Sequence, residues 1–432
     1  MSMVIDSKTK SLATKIISKE AVIAVIGMGY VGLSLLEVFG KEGYPIIGLE
    51  CDAEKVENLK QGKSTMGFLP LDDLFPLIRY GKFIPTTDPN LLKDADIVII
   101  SVPTTLDAHR QPDFEPLRSV FKEVVQTLKQ GQLIILQSTT YPGTTEEELL
   151  PQISSKMKVG EEVFVGYVPE ISDIGNPNHT FCSVPRILAG VTAECSKMIK
   201  LLYETIGCQT YVCPSTRVAE AAKIYQNTYR LINISFVNEM KILFDRMGMN
   251  IWDVIDAAST KPFGFTRFEP GPGVGGDCIP IDPFYLTWKA RVSEGPTQMI
   301  DAAGYINDMA PYYVVDKTIE GLAQFGKAIK GARLLLLGVA FKKDVDDPRH
   351  SSAVKVLELV QHRGAQVEYN DPFIPYLKQF NLNSVSLERL GEFDAVVIGV
   401  DHTQYKWDKI LKNSQLVIDT RNVVRGDKVV RA

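Results

Sequence analysis

Residues 270 to 283 read PGPGVGGDCIPIDP, four glycines and four prolines around one cysteine, with Asp277 and Asp282 on either side of it. A run so poor in helix and strand formers is a loop, and a loop offers the thiol of Cys278 to a ligand. A Cys thiolate adds to an aldehyde to give a thiohemiacetal; hydride loss turns this into a thioester, which water hydrolyses to a carboxylate. The bland reading of a free cysteine is a small buried hydrophobe. That reading is taken for Cys51, Cys182, Cys195, Cys208 and Cys213. With no CxxC pair and no Cys/His cluster of zinc spacing, reduced thiols in a cytosolic protein are expected and no metal is assigned.

A second group lies in a stretch free of Gly and Pro from Thr216 to Met247. Such a stretch predicts one long, largely buried helix able to join two lobes. Lys223 and Asn227 are four apart and share a helical face, with Arg230 a further turn along. A buried amine and amide side by side suit a developing oxyanion; a solvated edge is the plain alternative.

Gly27-Met28-Gly29-Tyr30-Val31-Gly32 forms a third group, following the apolar run AVIAVI and opening a helical pattern. In that context the glycines permit the tight turn, the approach of a pyrophosphate to the backbone, and close helix-strand packing. The next apolar run ends in Glu50, about 20 residues on, where an acid holds a ribose hydroxyl and favours NAD over NADP. Asp52 is read as the cap of the following helix. Ser101-Val102-Pro103-Thr104 and Ser138-Thr139-Thr140 end two later apolar runs, at the sheet edge where open α/β folds bind ligands.

The elements that must position these groups follow from the hydrophobic pattern. AVIAVIG, PIIGLE, ADIVIISVP and QLIILQST alternate with helical stretches, so the first part is α/β with a parallel sheet covered on both faces. Alternation resumes after Lys330 with ARLLLLGVAF, AQVEYND, FDAVVIGV and QLVIDTRN. The expected fold is therefore α/β, two Rossmann-like doubly wound domains joined by a long central helix. Its expected segments are an N-terminal extension (1–20), an NAD-binding Rossmann-like domain (21–213), a central helical domain with the long connecting helix (214–325) and a second, C-terminal α/β domain (326–432). At 432 residues the chain exceeds one core. Its 45% apolar and 23% charged composition is globular, and a net charge of −5 argues against nucleic acid and anionic membranes as partners. Residues 21 to 40 are apolar over the length of a membrane span, but the spaced Gly27, Gly29 and Gly32 with Glu37 fit a strand, turn and helix better.

Together these residues resemble the UDP-glucose/GDP-mannose dehydrogenase family. The motifs are GMGYVG, TTDPNLLKDADIVIISVPT, QSTTYPGTTEE, VPE, AAKIYQNTYRLINISFVNE, PGPGVGGDCIPIDPFYLTWKA, GVAFKKDVDD and DTRN. KPFGFTRFEPGPGVGG with CIPIDPFYLTWKA is most similar to the branch acting on UDP-N-acetylglucosamine or its epimers. The resemblance implies a cytoplasmic homodimer that oxidises the C6 hydroxymethyl group of a UDP-sugar to a carboxylate with two NAD per sugar, supplying polysaccharide precursors. Cys278 would be the nucleophile, Lys223 and Asn227 the pair steadying charge on the C6 oxygen, and Asp282 an acid assisting water or thiol. Thr139 and Glu170 would orient a catalytic water, with Glu170 as the base for hydrolysis. Gly27, Gly29, Tyr30, Val31, Gly32, Glu50, Thr104, Thr139 and Arg349 would contact NAD. The substrate would meet Glu170, Lys223, Asn227, Arg267, Gly271, Gly273, Lys342 and Arg421, with the loop from Phe263 to Gly276 closing over the diphosphate. The resemblance assigns nucleotide-sugar binding to the C-terminal domain (326–432).

Three positions depart from the family pattern. Asp277 stands where this branch has histidine, and its charge is expected to raise the thiol pKa. Val168-Pro169-Glu170-Ile171 replaces SPER, removing an arginine beside the base, and PRHSSA replaces RESPA. Glucose, N-acetylgalactosamine and N-acetylmannosamine stay open as sugars. A two-electron β-hydroxyacid dehydrogenase and a silent NAD-binding sensor are the other readings; neither has a use for Cys278.

Overall fold

The computed structural model describes residues 7–64, 71–107, 110–171 and 181–432, so the first six residues of the expected extension lie outside it. The chain separates into two compact units, Met1–Gln226 with Phe284–Ser293 and Asn227–Pro283 with Glu294–Ala432.

The first unit is built on eight strands. Their order across the sheet is Thr210–Val212, Arg186–Gly190, Phe164–Tyr167, Leu133–Leu136, Ile97–Ile100, Ile23–Ile26, Ile46–Leu49 and Phe83–Thr86. The six from Phe83–Thr86 to Phe164–Tyr167 run parallel in the 3-2-1-4-5-6 order of dinucleotide-binding folds. Arg186–Gly190 joins antiparallel and Thr210–Val212 pairs parallel with it, so these two strands run against the other six and depart from the all-parallel expectation. Because strand side chains alternate, Ile23 and Val25 enter one core with Leu33, Phe39 and Tyr203. Ala24 and Ile26 enter the opposite core with Phe121 and Val124. Both faces are thus covered, which explains runs apolar at every position.

The N-terminal extension contributes to the core of the first unit. In Ser7–Ile17, Leu12 and Ile16 are buried in the first core, and Lys15 reaches Asp96 at 2.8 Å.

In the second unit five parallel strands run Gln366–Asn370, Arg333–Leu337, Ala395–Ile398, Val417–Asp419, Val429–Arg431. This is the 2-1-3-4-5 doubly wound order, whose ligand crevice lies beyond the carboxyl ends of Arg333–Leu337 and Ala395–Ile398. Among the described residues no helix is long and apolar enough to cross a membrane.

The Gly/Pro-free stretch forms a single helix, Thr216–Arg246. It is not largely buried. Ala219, Ile224, Asn227, Leu231, Ser235, Asn238 and Lys241 are buried, while Val218, Tyr225, Tyr229, Phe236 and Leu243 are exposed large apolar side chains. Summing apolar residues over the stretch hid this division, since the exposed ones keep their own helical spacing.

The cysteines also need correction. Cys51 is exposed, and Cys182 and Cys208 form a disulfide, with Cα atoms 4.4 Å apart. Twenty-six residues separate the two, a spacing with no local signature, so the fold alone brings them together. Cys195 and Cys213 are buried as expected.

Candidate active site

The glycine turn follows strand Ile23–Ile26 and opens helix Tyr30–Lys41. Each glycine meets a different constraint. Gly27 has φ +92°, and a Cβ there would lie 2.4 Å from the Ser101 carbonyl oxygen on the neighbouring strand end. A Cβ on Gly32 would lie 1.8 Å from the Gly27 oxygen, so helix and turn touch there. At Gly29 a Cβ would find no described atom within 4 Å. Open space above the middle glycine, at the helix N-terminus beside Tyr30 and Val31, is where a pyrophosphate approaches the backbone, so these residues fit a dinucleotide.

Glu50 follows strand Ile46–Leu49. Its carboxylate accepts from the Met28 amide (3.1 Å), Cys51 amide (3.0 Å), Asp52 amide (3.4 Å) and Lys55 ammonium (3.2 Å). Burial works to raise its pKa, but Lys55 and these donors outweigh it and hold the group below the usual carboxylate range. Glu50 therefore also braces the glycine turn, a task the sequence did not reveal. Asp52 caps helix Ala53–Lys60 as expected.

Thr104 and Thr139 are half-buried after strands Ile97–Ile100 and Leu133–Leu136. Ser138 donates to the Val102 carbonyl at 2.8 Å, so its hydroxyl serves the backbone. Glu170 follows strand Phe164–Tyr167 and is buried. Although the arginine of the usual motif is missing next to it, another replaces it: Arg186 meets Glu170 through two nitrogens at 3.2 and 2.9 Å. Gln137 donates to the same carboxylate at 3.2 Å. Arg186 is fully buried, with Phe181 over its guanidinium at 4.0 Å. An arginine opening the apolar strand RILAG was the available signal, because such a charge needs a buried partner.

Lys223 is half-buried, and Arg230, suggested as a third member of the stripe, is exposed. One turn before Lys223, the buried Glu220 accepts from the Gly143 amide (2.5 Å), the Thr145 amide (2.8 Å) and the Thr145 hydroxyl (2.6 Å). Burial pushes its pKa up to about 7.

In the second unit Asn227 donates through Nδ2 to Asp282, both buried. Asp282 begins helix Asp282–Val292, and its amide donates to the Cys278 carbonyl at 2.8 Å. The exposed Cys278 thus stands one turn ahead of the start of that helix. The Asp277 charge does not stand alone beside it. Arg349 lies 2.8 Å from Asp277 and the His350 ring 3.5 Å. The Arg349 guanidinium is held charged chiefly by its hydrogen bonds to Asp347, with Asp277 and Cys278 adding to this. Arg349, expected beside the cofactor, therefore sits with the cysteine loop.

Gly271 is buried and Gly273 has φ +109° against Asn307 and Ser352. Arg267 is exposed and held by Asp256 (2.6 Å) and Glu269 (2.9 Å). Lys342 follows strand Arg333–Leu337, and Arg421 follows Val417–Asp419 and donates to the Gly399 carbonyl at 3.3 Å. Both therefore stand at the crevice edge of the 2-1-3-4-5 sheet.

The sequence matches the models of the UDP-glucose/GDP-mannose dehydrogenase family in three parts: the NAD binding domain over residues 21–207, the central domain over 217–309 and the UDP binding domain over 335–426. The chain is 34% identical to a UDP-N-acetyl-D-glucosamine 6-dehydrogenase of Pseudomonas aeruginosa, covering 90% of this chain and 92% of that one. It is 32% identical to a UDP-N-acetyl-D-mannosamine dehydrogenase of Yersinia pestis, covering 93% and 99%. Among solved structures it resembles a UDP-D-ManNAc dehydrogenase of Pyrococcus horikoshii, with a TM-score of 0.83 at 28% identity over 94% of this chain and 96% of that one. With its NAD-binding turn, its second doubly wound sheet and all three family domains in order, the chain belongs to the UDP-glucose/GDP-mannose dehydrogenase family and is an NAD-dependent nucleotide-sugar dehydrogenase.

Proposed function

We propose that the protein oxidises the C6 hydroxymethyl group of UDP-N-acetylglucosamine to the uronic acid through a thioester on Cys278. The observation that carries this reading is the exposed cysteine four residues ahead of Asp282, which is itself hydrogen-bonded to Asn227. Identity to the Pseudomonas aeruginosa relative favours the N-acetylglucosamine form of the substrate. Two NAD per sugar take up the two hydrides.

Lys223 and Asn227 steady the oxygen at C6 as it loses its proton. Cys278 then adds to the aldehyde carbon, and the second hydride leaves the thiohemiacetal to give the thioester. Thr139 orients a water, Glu170 takes its proton, and the cysteine departs as thiolate when the carboxylate forms. Gly27, Gly29, Tyr30, Val31, Gly32, Glu50 and Thr104 hold the cofactor. Arg267, Gly271, Gly273, Lys342 and Arg421 hold the nucleotide end, and Arg349 tempers the charge beside the thiol. The protein acts as a homodimer: Val218, Tyr225, Tyr229, Phe236 and Leu243 are spaced by 7, 4, 7 and 7 residues on the long helix, a seam suited to pairing with a second copy.

NADH released per limiting UDP-N-acetylglucosamine tests the reading. Two per sugar, falling to no acid formed in Cys278→Ser, is the expected result. One per sugar, with the variant still active, would overturn the covalent route, and turnover only on another UDP-sugar would overturn the choice of sugar.

A further inference from the structure

Two donors on the long helix are buried without an acceptor among the described residues: Asn238 Nδ2 and, one turn on, Lys241 Nζ. The side chains are 3% and 5% exposed. An amine buried this way carries a large desolvation cost unless something anionic or oxygen-rich completes it.

The surrounding groups show what kind of ligand is missing. Asn238 uses its oxygen to accept from the Gly271 amide at 2.9 Å. Gly271 lies so close to Arg421 that a Cβ would be 2.6 Å from Nη1. Asn238, Gly271 and Arg421 therefore form one contiguous surface, with Lys241 beside it on the helix. The acids that act on Lys241 are already engaged. Asp245 accepts from the Tyr313 hydroxyl (2.7 Å) and Lys317 (3.0 Å), and Asp419 accepts from the Arg421 and Val424 amides (2.8 and 2.9 Å). Lys317 and Arg421 add positive charge, and the Tyr313 ring lies 5.2 Å from Nζ. Glu269 and Asp401 face Arg421. Lys241, Lys317, Arg421 and the spare Asn238 amide are thus gathered at one place, and the two acids that act on Lys241, Asp245 and Asp419, already have donors of their own.

We propose that Asn238 and Lys241 are ligands of the substrate's diphosphate, alongside Arg421. The proposal rests on the UDP-sugar reading and extends it to two residues to which the sequence reading gave no role. Burial pushes the Lys241 pKa down to about 7, with Asp245 and Asp419 working against it and Arg421 and Lys317 adding to the fall. A bound diphosphate would hold the amine protonated, so binding above neutrality draws a proton from solvent.

The test is calorimetric titration of the full-length protein with UDP and with uridine, at about pH 8, where the UDP phosphates are fully ionised. Buffers of different ionisation enthalpy give the protons taken up. The wild type should bind UDP with uptake close to one proton; Lys241→Met should bind it about ten- to a hundredfold more weakly with that uptake gone, while its affinity for uridine stays the same. Lys241→Arg, charged throughout, should keep UDP affinity without the uptake. Equal UDP affinity and proton count in wild type and Lys241→Met would overturn this proposal alone, as would an equal loss for uridine. Wild type that fails to bind UDP would overturn the substrate reading as well.

Discussion

Glu50→Gln separates cofactor recognition from sugar recognition. The Glu50 carboxylate has about four lone-pair sites, and in the structure five donors share them: the Met28, Cys51 and Asp52 amides, the Cys51 thiol and the Lys55 ammonium. A ribose diol must displace one of the weaker of these, the Cys51 thiol at 3.3 Å or the Asp52 amide at 3.4 Å. The net gain is therefore about one hydrogen bond to a charged acceptor, roughly 1.5–3 kcal/mol. At 1.4 kcal/mol per factor of ten, removing the charge should raise the KM for NAD about ten- to a hundredfold. Glutamine keeps an acceptor for the Met28 amide, so the turn should survive. Freed from its partner, Lys55 should improve the otherwise poor use of NADP. Initial rates of NADH formation, with NAD varied at saturating UDP-sugar and then the reverse, read both constants. Equal rises in both KM values, or a fall in kcat alone, would refute the ribose assignment.

Two further outcomes follow from paired charges. Arg349→Gln should move the acidic limb of the kcat/KM profile to higher pH, because losing the guanidinium leaves Asp277 unopposed beside the Cys278 thiolate; Asp277→Asn should move it the other way, and an unmoved limb in both would show that neither charge reaches the thiol. Arg186→Met should destabilise the fold by about 3–5 kcal/mol in denaturant titration, since it strands Glu170 as a buried charge. Adding Glu170→Gln should return most of that stability without restoring acid formation, and a single variant as stable as wild type would refute the pairing.

Much of the architecture was legible because it rests on local pattern. The apolar runs gave the strands, the absence of Gly and Pro gave the long helix, and the glycine spacing with Glu50 gave the dinucleotide turn. The Asn227 face was readable from a four-residue spacing, but its partner Asp282 lies 55 residues away. No periodicity carries such information. The same limit hid Arg186 from Glu170, Cys182 from Cys208, and Arg349 from Asp277. Asp277 looked like an isolated negative charge because the sequence shows neighbours along the chain and not across it. Lys241 was not singled out in the sequence, and only the burial of its Nζ without an acceptor among the described residues marks it.

Glu220 ties the start of the long helix to the turn that follows Thr139, through two amides and a hydroxyl. Lys223 lies one turn beyond it, so the amine proposed to steady the C6 oxygen and the hydroxyl proposed to orient water are parts of one rigid frame. The freedom those groups would otherwise lose at each turnover is removed once, when the chain folds. Intramolecular reactions organised in this way reach effective concentrations of about 10⁵ M or more. On this view a buried glutamate that touches no substrate sets how often the reacting groups meet in register.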